Sequence, residues 1–94
     1  MKYEIMFIVR PNIEEDSLKV LVGNFEKILT DNAAKIVFSK SMGQRELAYE
    51  IKKHKRGWYY LYQVEAPVEA IREFDRLALL NEDIIRHMII KMEE

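Results

Sequence analysis

Cysteine is absent from this 94-residue chain, and glycine and proline occur only three times and twice. Without cysteine the chain has no disulfide bond, no thiolate metal ligand and no cysteine nucleophile, which is compatible with a reducing cytoplasm. No phosphate-binding glycine loop, no pair of histidines at metal spacing and no acyl-transfer serine motif occurs. We therefore expect no enzymatic activity, no cofactor and no metal site.

The chain also lacks a long apolar run and a large net charge. Its amino terminus enters a short apolar stretch that charged residues interrupt, unlike a signal peptide or a membrane span. Fifteen basic and sixteen acidic residues leave a formal net charge of −1, so the charge of the whole chain predicts affinity for neither nucleic acid nor membranes. We therefore expect a cytosolic protein. If it binds a polyanion, a local patch of positive charge has to do so.

Hydrophobic residues make up 49% of the sequence, which is enough for one modest core, so we expect a single domain over residues 1–94. Their spacing alternates between the strand period and the helix period, in the order strand, helix, strand, strand, helix, strand. This order is typical of the α+β ferredoxin-like βαββαβ fold, with two helices on one face of a four-stranded antiparallel sheet. The predicted strands are 2–10, 35–51, 57–64 and 84–92, and the predicted helices are 13–31 and 67–80.

Local signals define some element boundaries. Asn12, with Glu15 three residues later, resembles a capping box at the start of the first helix. Gly43 predicts a bend or bulge in the second strand. Residues 52–56 are predicted as a basic turn, after which Gly57 opens an aromatic third strand.

Two helices can cover only one face of the sheet, yet the strands carry apolar side chains at both parities. With Ile5, Phe7 and Tyr60 towards the helices, their neighbours along each strand face outward. An exposed apolar patch of this kind usually marks a protein-partner site. Alternatively, the strand register differs or long neighbouring side chains cover the patch. The outward set consists of Met6, Ile8, Tyr59, Leu61, Met88 and Ile90.

The basic turn concentrates four fixed positive charges, which are enough for a few phosphate contacts. A merely soluble hairpin tip explains the same residues equally well. Arg45, Arg86 and Lys91 would favour RNA binding if folding brings them together with the turn. Trp58 and Tyr59 could stack on unpaired bases, although β-propensity explains aromatic residues in a strand at least as well. The four charges belong to Lys52, Lys53, Lys55 and Arg56.

Three stretches of the chain have the residues and spacing of one known family. The first is Tyr3-Glu4 with Ile8 and the turn Arg10-Pro11-Asn12, and the second runs from Gly43 through Arg45-Glu46-Leu47-Ala48-Tyr49 to Ile51-Lys52. The third comprises Gly57, Tyr59, Gln63-Val64, Arg86 and Met88-Ile89-Ile90-Lys91. Together they cover almost the whole chain, which on these residues resembles the bacterial small-ribosomal-subunit protein six family.

The resemblance implies a structural role in the small ribosomal subunit, in the cytoplasm. It implies binding to small-subunit ribosomal RNA in the central domain, or platform, together with small-subunit ribosomal protein eighteen. A near-neutral chain fits this role if a basic partner supplies most phosphate contacts while the outward apolar residues contact that partner. The RNA-contact candidates are then Lys2, Arg10, Arg45, Lys52, Lys53, Lys55, Arg56, Arg86 and Lys91.

Three other interpretations use the same topology. An independent RNA-recognition module would bind single-stranded RNA through Tyr59 without another protein. A small-molecule regulatory domain would self-associate and respond to a metabolite. An acylphosphatase-like enzyme could use the Arg10-Pro11-Asn12 turn, but the glycine-rich phosphate loop that it needs is missing.

Overall fold

The structure is a computed structural model and describes residues 1–92. Four antiparallel strands form one sheet with two helices, and this confirms the predicted ferredoxin-like fold. No helix in the described part of the chain is long and apolar enough to cross a membrane. The elements are β1 (Lys2–Val9), α1 (Glu15–Asp31), β2 (Lys35–Ile51), β3 (His54–Glu65), α2 (Val68–Leu80) and β4 (Ile84–Met92).

The strand order is β2-β3-β1-β4, so the first strand lies in the middle of the sheet. Alternate residues of β1, among them Ile5, Phe7 and Val9, are fully buried and belong to the core between sheet and helices. Phe7 lies opposite Tyr60 on β3 and His87 on β4. This register places the even-numbered residues of β1 on the other side of the sheet, which we call the outer face.

Phe7 is the centre of the hydrophobic core. Its ring stacks on Tyr60 and Tyr62 of β3, with centroids 5.2 Å and 5.9 Å away. It also lies 6.0 Å from Phe25 of α1 and 6.1 Å from Phe74 of α2. Both helices therefore pack on the same face of the sheet through one aromatic cluster. Such aromatic pairs add to the stabilisation that burial provides.

The predicted capping box at the start of α1 is wrong. The helix begins at Glu15 and its N-cap is Glu14, without a side-chain capping hydrogen bond. Asn12 is instead engaged with the strand end, because its Oδ1 accepts a hydrogen bond of 3.2 Å from Nη1 of Arg10. The second helix likewise begins one residue later than predicted, with Pro67 as its N-cap.

Strands β2 and β3 form a long hairpin whose turn is shorter than predicted. Ile51 pairs with His54, so only Lys52 and Lys53 lie in the turn, and His54, Lys55 and Arg56 belong to β3. The prediction of a basic turn over residues 52–56 is wrong because both lysines take positive φ, 48° and 68°, as a tight two-residue turn requires.

The second strand contains the predicted bulge at Gly43. The register shifts between Ser41 and Gly43, and Gly43 has a φ of 76° that glycine adopts without strain. Beyond it, the hairpin continues past the end of β1, whose last residue, Val9, pairs with Trp58. We call residues 44–57 the hairpin arm.

Candidate nucleic-acid and protein-partner interface

Apolar side chains from three strands lie together on the outer face. Met6 of β1 is directly opposite Leu61 of β3 on one side and Met88 of β4 on the other. Met88 and Ile90 are 37% and 50% exposed, while Met6 and Leu61 are partly buried. Four of the residues that the sequence predicts for a partner surface are therefore neighbours on one accessible face.

Two other predicted partner residues lie nearer the hairpin arm. Tyr59 is partly buried and pairs with Ile8, which points to the outer face but is only 3% exposed. Ile8 lies over Gly57, and Ile85 also borders this position. Ile8 is therefore part of the support beneath the outer face and offers almost no surface of its own.

Sequence reasoning missed one large apolar residue on this face. Phe38 of β2 is 45% exposed and lies opposite Gln63, whereas Ile36 lies opposite Val64 in the core. The register shift between Ile36 and Phe38 reverses the alternation, which places Phe38 on the outer face. The hydrophobic pattern gives no sign that Val37 is an extra residue at this shift. The sequence therefore could not show that Phe38 lies on the outer face.

The predicted RNA-contact residues do not form one cluster. Lys2 pairs with Glu65 and Met92, and Lys91 lies opposite Tyr3, so these two lysines are at one end of the sheet. The other seven candidates belong to the hairpin arm or to the opposite ends of β1 and β4. Since β1 has eight residues, the two ends are roughly 25 Å apart at the usual rise of a strand.

The hairpin arm carries five fixed positive charges and two negative ones, Glu46 and Glu50. Within the described residues, none of its three lysines forms an ion pair with a carboxylate. Its two arginines make local contacts, which hold their side chains on the arm. Nη1 of Arg56 lies 3.6 Å from Glu46 Oε1, and Nε of Arg45 donates to the Met42 carbonyl at 3.1 Å.

Arg10 has a structural partner. Its Nε lies 2.6 Å from Oδ1 of Asp83, and its backbone N–H donates to the Asp83 carbonyl at 2.8 Å. These contacts join the end of β1 to the residue before β4. Because the ion pair occupies part of the guanidinium and the side chain is 32% exposed, Arg10 can offer RNA only its remaining N–H groups.

Arg86 connects β4 with the hairpin arm. Its Nη1 donates a hydrogen bond to Oη of Tyr49, and its guanidinium carbon lies 5.7 Å from the centroid of that ring. Arg86 pairs with Ile8, so its side chain starts from the outer face. The structure thus brings Arg86 to the arm, while Lys91 lies at the far end of the same strand.

The side chains of His87 and Trp58 lie on the helix side of the sheet, since these residues pair with the core residues Phe7 and Val9. Nε2 of His87 lies 2.7 Å from Oδ1 of Asp75 on α2, and the His87 side chain is 12% exposed. Trp58 packs beside the core and borders a cleft of about 560 Å³ with Leu18 and Val22 of α1. Of the two aromatic residues proposed for base stacking, only Tyr59 therefore lies on the outer face. Among residues 1–92, no group of three or more potential metal ligands was found.

Comparison with known proteins identifies relatives over nearly the whole chain. The family model described as ribosomal protein S6 matches residues 2–91. A crystal structure of the 30S ribosomal protein S6 from Thermotoga maritima matches with a TM-score of 0.91 and 32% sequence identity, covering 97% of this chain and 86% of that chain. The resemblance inferred from the sequence is thereby confirmed. The chain belongs to the ribosomal protein S6 family, whose members are structural, non-enzymatic proteins of the small ribosomal subunit.

Proposed function

We propose that this protein is a structural constituent of the bacterial small ribosomal subunit that binds ribosomal RNA cooperatively with small-subunit protein eighteen. Its location is the central domain, or platform, of the subunit in the cytoplasm. The observation that carries the proposal is the placement of an accessible apolar sheet face beside a basic hairpin arm. One surface fits a protein and the other fits phosphate groups.

The charge of the arm sets how much RNA affinity this chain supplies. Lys52, Lys53 and Lys55 offer about three phosphate contacts, each of which releases counterions and makes binding salt-dependent. The net charge of −1 adds no long-range attraction. Three contacts give weak binding at physiological salt, so a second, basic protein has to contribute the remaining affinity.

The outer face supplies the surface for that second protein. Leu61, Met6 and Met88 form a continuous apolar row across three strands, and Met88 is substantially exposed. Phe38 and Ile90 extend the surface at the two edges of the next row, on either side of Gln63 and Glu4. An apolar patch in water favours a protein partner, because removing apolar surface from water is favourable by about 25 cal/mol per Å² before the costs of association are subtracted. An apolar surface does not attract RNA phosphates. The outer face is therefore assigned to the protein partner and the hairpin arm to the RNA.

A charge placed in the centre of the outer face tests the partner surface. Leu61→Asp should weaken binding to protein eighteen at least about tenfold, since a carboxylate would have to leave water in the interface, even with Lys40 opposite position 61. Leu79→Asp is the matched control, because Leu79 is 71% exposed on α2 on the opposite side of the sheet. Circular dichroism should show both variants folded. Equal binding of both variants and the unchanged protein would contradict the assignment of this face.

Titration of a platform-domain RNA fragment, with and without protein eighteen, tests the cooperative role. We expect tight binding only when both proteins are present. Tight binding by this chain alone would favour an independent single-stranded RNA module, in which Tyr59 stacks on a base. Failure of the two proteins together to bind the fragment would contradict the proposed function.

A further inference from the structure

The tip of the hairpin arm is not held by regular strand pairing. The ladder between β2 and β3 passes from the pair Glu46 and Arg56 to the pair Ile51 and His54. Four residues, 47–50, therefore face a single residue of β3. Because most of their backbone groups are outside the regular ladder, the conformation of this segment depends on the contacts that its side chains make.

Tyr49 lies within this irregular segment and contacts a strand that is not its neighbour. Two strands, β3 and β1, separate β2 from β4 in the sheet. Tyr49 nevertheless accepts a hydrogen bond from Arg86 of β4, and the guanidinium lies within cation–π distance of its ring. The contact therefore ties the arm across the end of the sheet.

The base of the arm has a separate anchor. Nε2 of Gln44 donates to the Pro11 carbonyl at 3.2 Å, and Oε1 of Gln44 accepts from Nε of Arg56 at 3.2 Å. The arm is thus fixed at its base by Gln44 and near its tip by Tyr49. Lys52 and Lys53 in the turn and Lys55 directly after it carry the positive charge that no ion pair among the described residues neutralises.

The two lysines of the turn have an unfavourable backbone conformation. Lys52 and Lys53 both have positive φ, which L-residues other than glycine rarely adopt, and asparagine and glycine are the residues preferred there. Two lysines in such a turn are disfavoured by backbone geometry, but they place two ammonium groups at one tip. An ordered arm keeps both groups in place before RNA arrives.

We propose that Tyr49 and Arg86 are positioning residues, whose contact orders the hairpin arm and thereby raises its affinity for RNA. This inference rests on the proposed function. A preordered arm loses less conformational freedom on binding, so the complex is tighter although no further phosphate is contacted. Arg86 in this account acts through Tyr49, not through a phosphate of its own.

Hydrogen exchange and RNA binding in variants of the full chain separate these roles. Tyr49 is 60% exposed, so Tyr49→Ala should leave the fold intact, which the urea midpoint checks. We expect faster exchange of the backbone N–H groups of residues 47–53 and about fivefold weaker binding of the platform RNA with protein eighteen. The slope of affinity against salt should stay unchanged, because every lysine remains. Tyr49→Phe keeps the ring and should lose less than Tyr49→Ala.

A double variant tests whether the two residues act as a unit. Tyr49→Ala combined with Arg86→Gln should weaken RNA binding no more than either change alone, since each removes the same contact. Additive losses, or a smaller salt slope in either single variant, would show direct RNA contacts and overturn the inference. Unchanged exchange or unchanged affinity in Tyr49→Ala would also overturn it. Absence of RNA binding by the unchanged protein with its partner would instead overturn the proposed function.

Discussion

Ile8 occupies the space beside Gly57 that any larger residue would need. A β-carbon at position 57 would lie 2.3 Å from Cγ2 of Ile8 and 3.1 Å from the Val9 carbonyl oxygen. Gly57 is needed there for space, since it lies within β3 and has no positive φ. Gly57→Ala would force Ile8 out of its buried position, and we expect a loss of about 1 to 3 kcal/mol in the free energy of unfolding.

Urea unfolding measures this loss, and Gly23→Ala provides the control. A β-carbon at Gly23 would have no atom within 4 Å, and the residue lies in the interior of α1. Alanine there should raise the free energy of unfolding by about 0.5 to 1 kcal/mol, because it favours the helix. Equal stability of Gly57→Ala and the unchanged protein would show that Ile8 moves aside freely.

Replacing Lys52 and Lys53 in the turn should raise the free energy of unfolding and weaken RNA binding. Lys52→Asn with Lys53→Gly gives the residues that such turns prefer, and we expect the free energy of unfolding to rise by about 1 kcal/mol. Binding of RNA with protein eighteen should weaken, since two positive charges are lost. Thermal unfolding and RNA titration measure the two effects.

A glutamine pair separates the charge from the backbone conformation in this turn. Lys52→Gln with Lys53→Gln removes the same two charges but retains side chains at positive φ. It should weaken RNA binding to a similar extent without the gain in stability. If the asparagine-glycine variant is no more stable than the glutamine variant, the two lysines are not strained.

Tyr62 should make the fold sensitive to high pH. Its Oη donates to Oε2 of Glu26 at 2.7 Å, and burial, together with this hydrogen bond and the Glu26 charge, raises the pKa of Tyr62 far above its ordinary range. Below about pH 10 the tyrosine is protonated in both folded and unfolded chains, so its contribution is fully present. Above that pH the unfolded chain ionises first, and stability falls by up to about 1.4 kcal/mol per pH unit.

Urea unfolding between about pH 9 and about pH 11 tests this dependence. Tyr62→Phe is the comparison, because it removes one ionising group and leaves the other tyrosines in place. The free energy of unfolding of the variant should fall less steeply with pH than that of the unchanged protein. Parallel curves would show that Tyr62 ionises as readily in the folded chain as in the unfolded one.

Hydrophobic spacing was sufficient to predict the element order and much of the outer face. In β1 the charged residues Lys2, Glu4 and Arg10 share the parity of Met6, so periodicity placed Met6 on the correct side. In β4 both parities are apolar, and the side of Met88 follows from its pairing with Met6. Phe38 could not be placed in this way, since the register shift before it reverses the alternation. The choice of side depends there on how β2 pairs with β3, which the residues of β2 do not encode separately.

Contacts between residues far apart in the sequence are the second feature that the hydrophobic pattern could not predict. Tyr49 and Arg86 are 37 positions apart, and their contact depends on the way the arm crosses the end of the sheet. The start of β3 was also missed, because Lys52 and Lys53 adopt a turn that sequence preference assigns to asparagine and glycine. In both cases the tertiary structure prevails over the local pattern.

The salt dependence of RNA binding by the complex with protein eighteen shows whether the hairpin arm contacts RNA phosphates. The variant carries Lys52→Gln, Lys53→Gln and Lys55→Gln on the hairpin arm. The matched control carries Lys19→Gln, Lys27→Gln and Arg72→Gln, which removes the same charge from the two helices. If the arm contacts phosphates, the slope of log K against log salt should become less negative by roughly 2 to 3 in the arm variant. The control variant should have the slope of the unchanged protein. An unchanged slope in the arm variant, or an equal change in the control, would show that the lysines of the arm make no specific phosphate contacts.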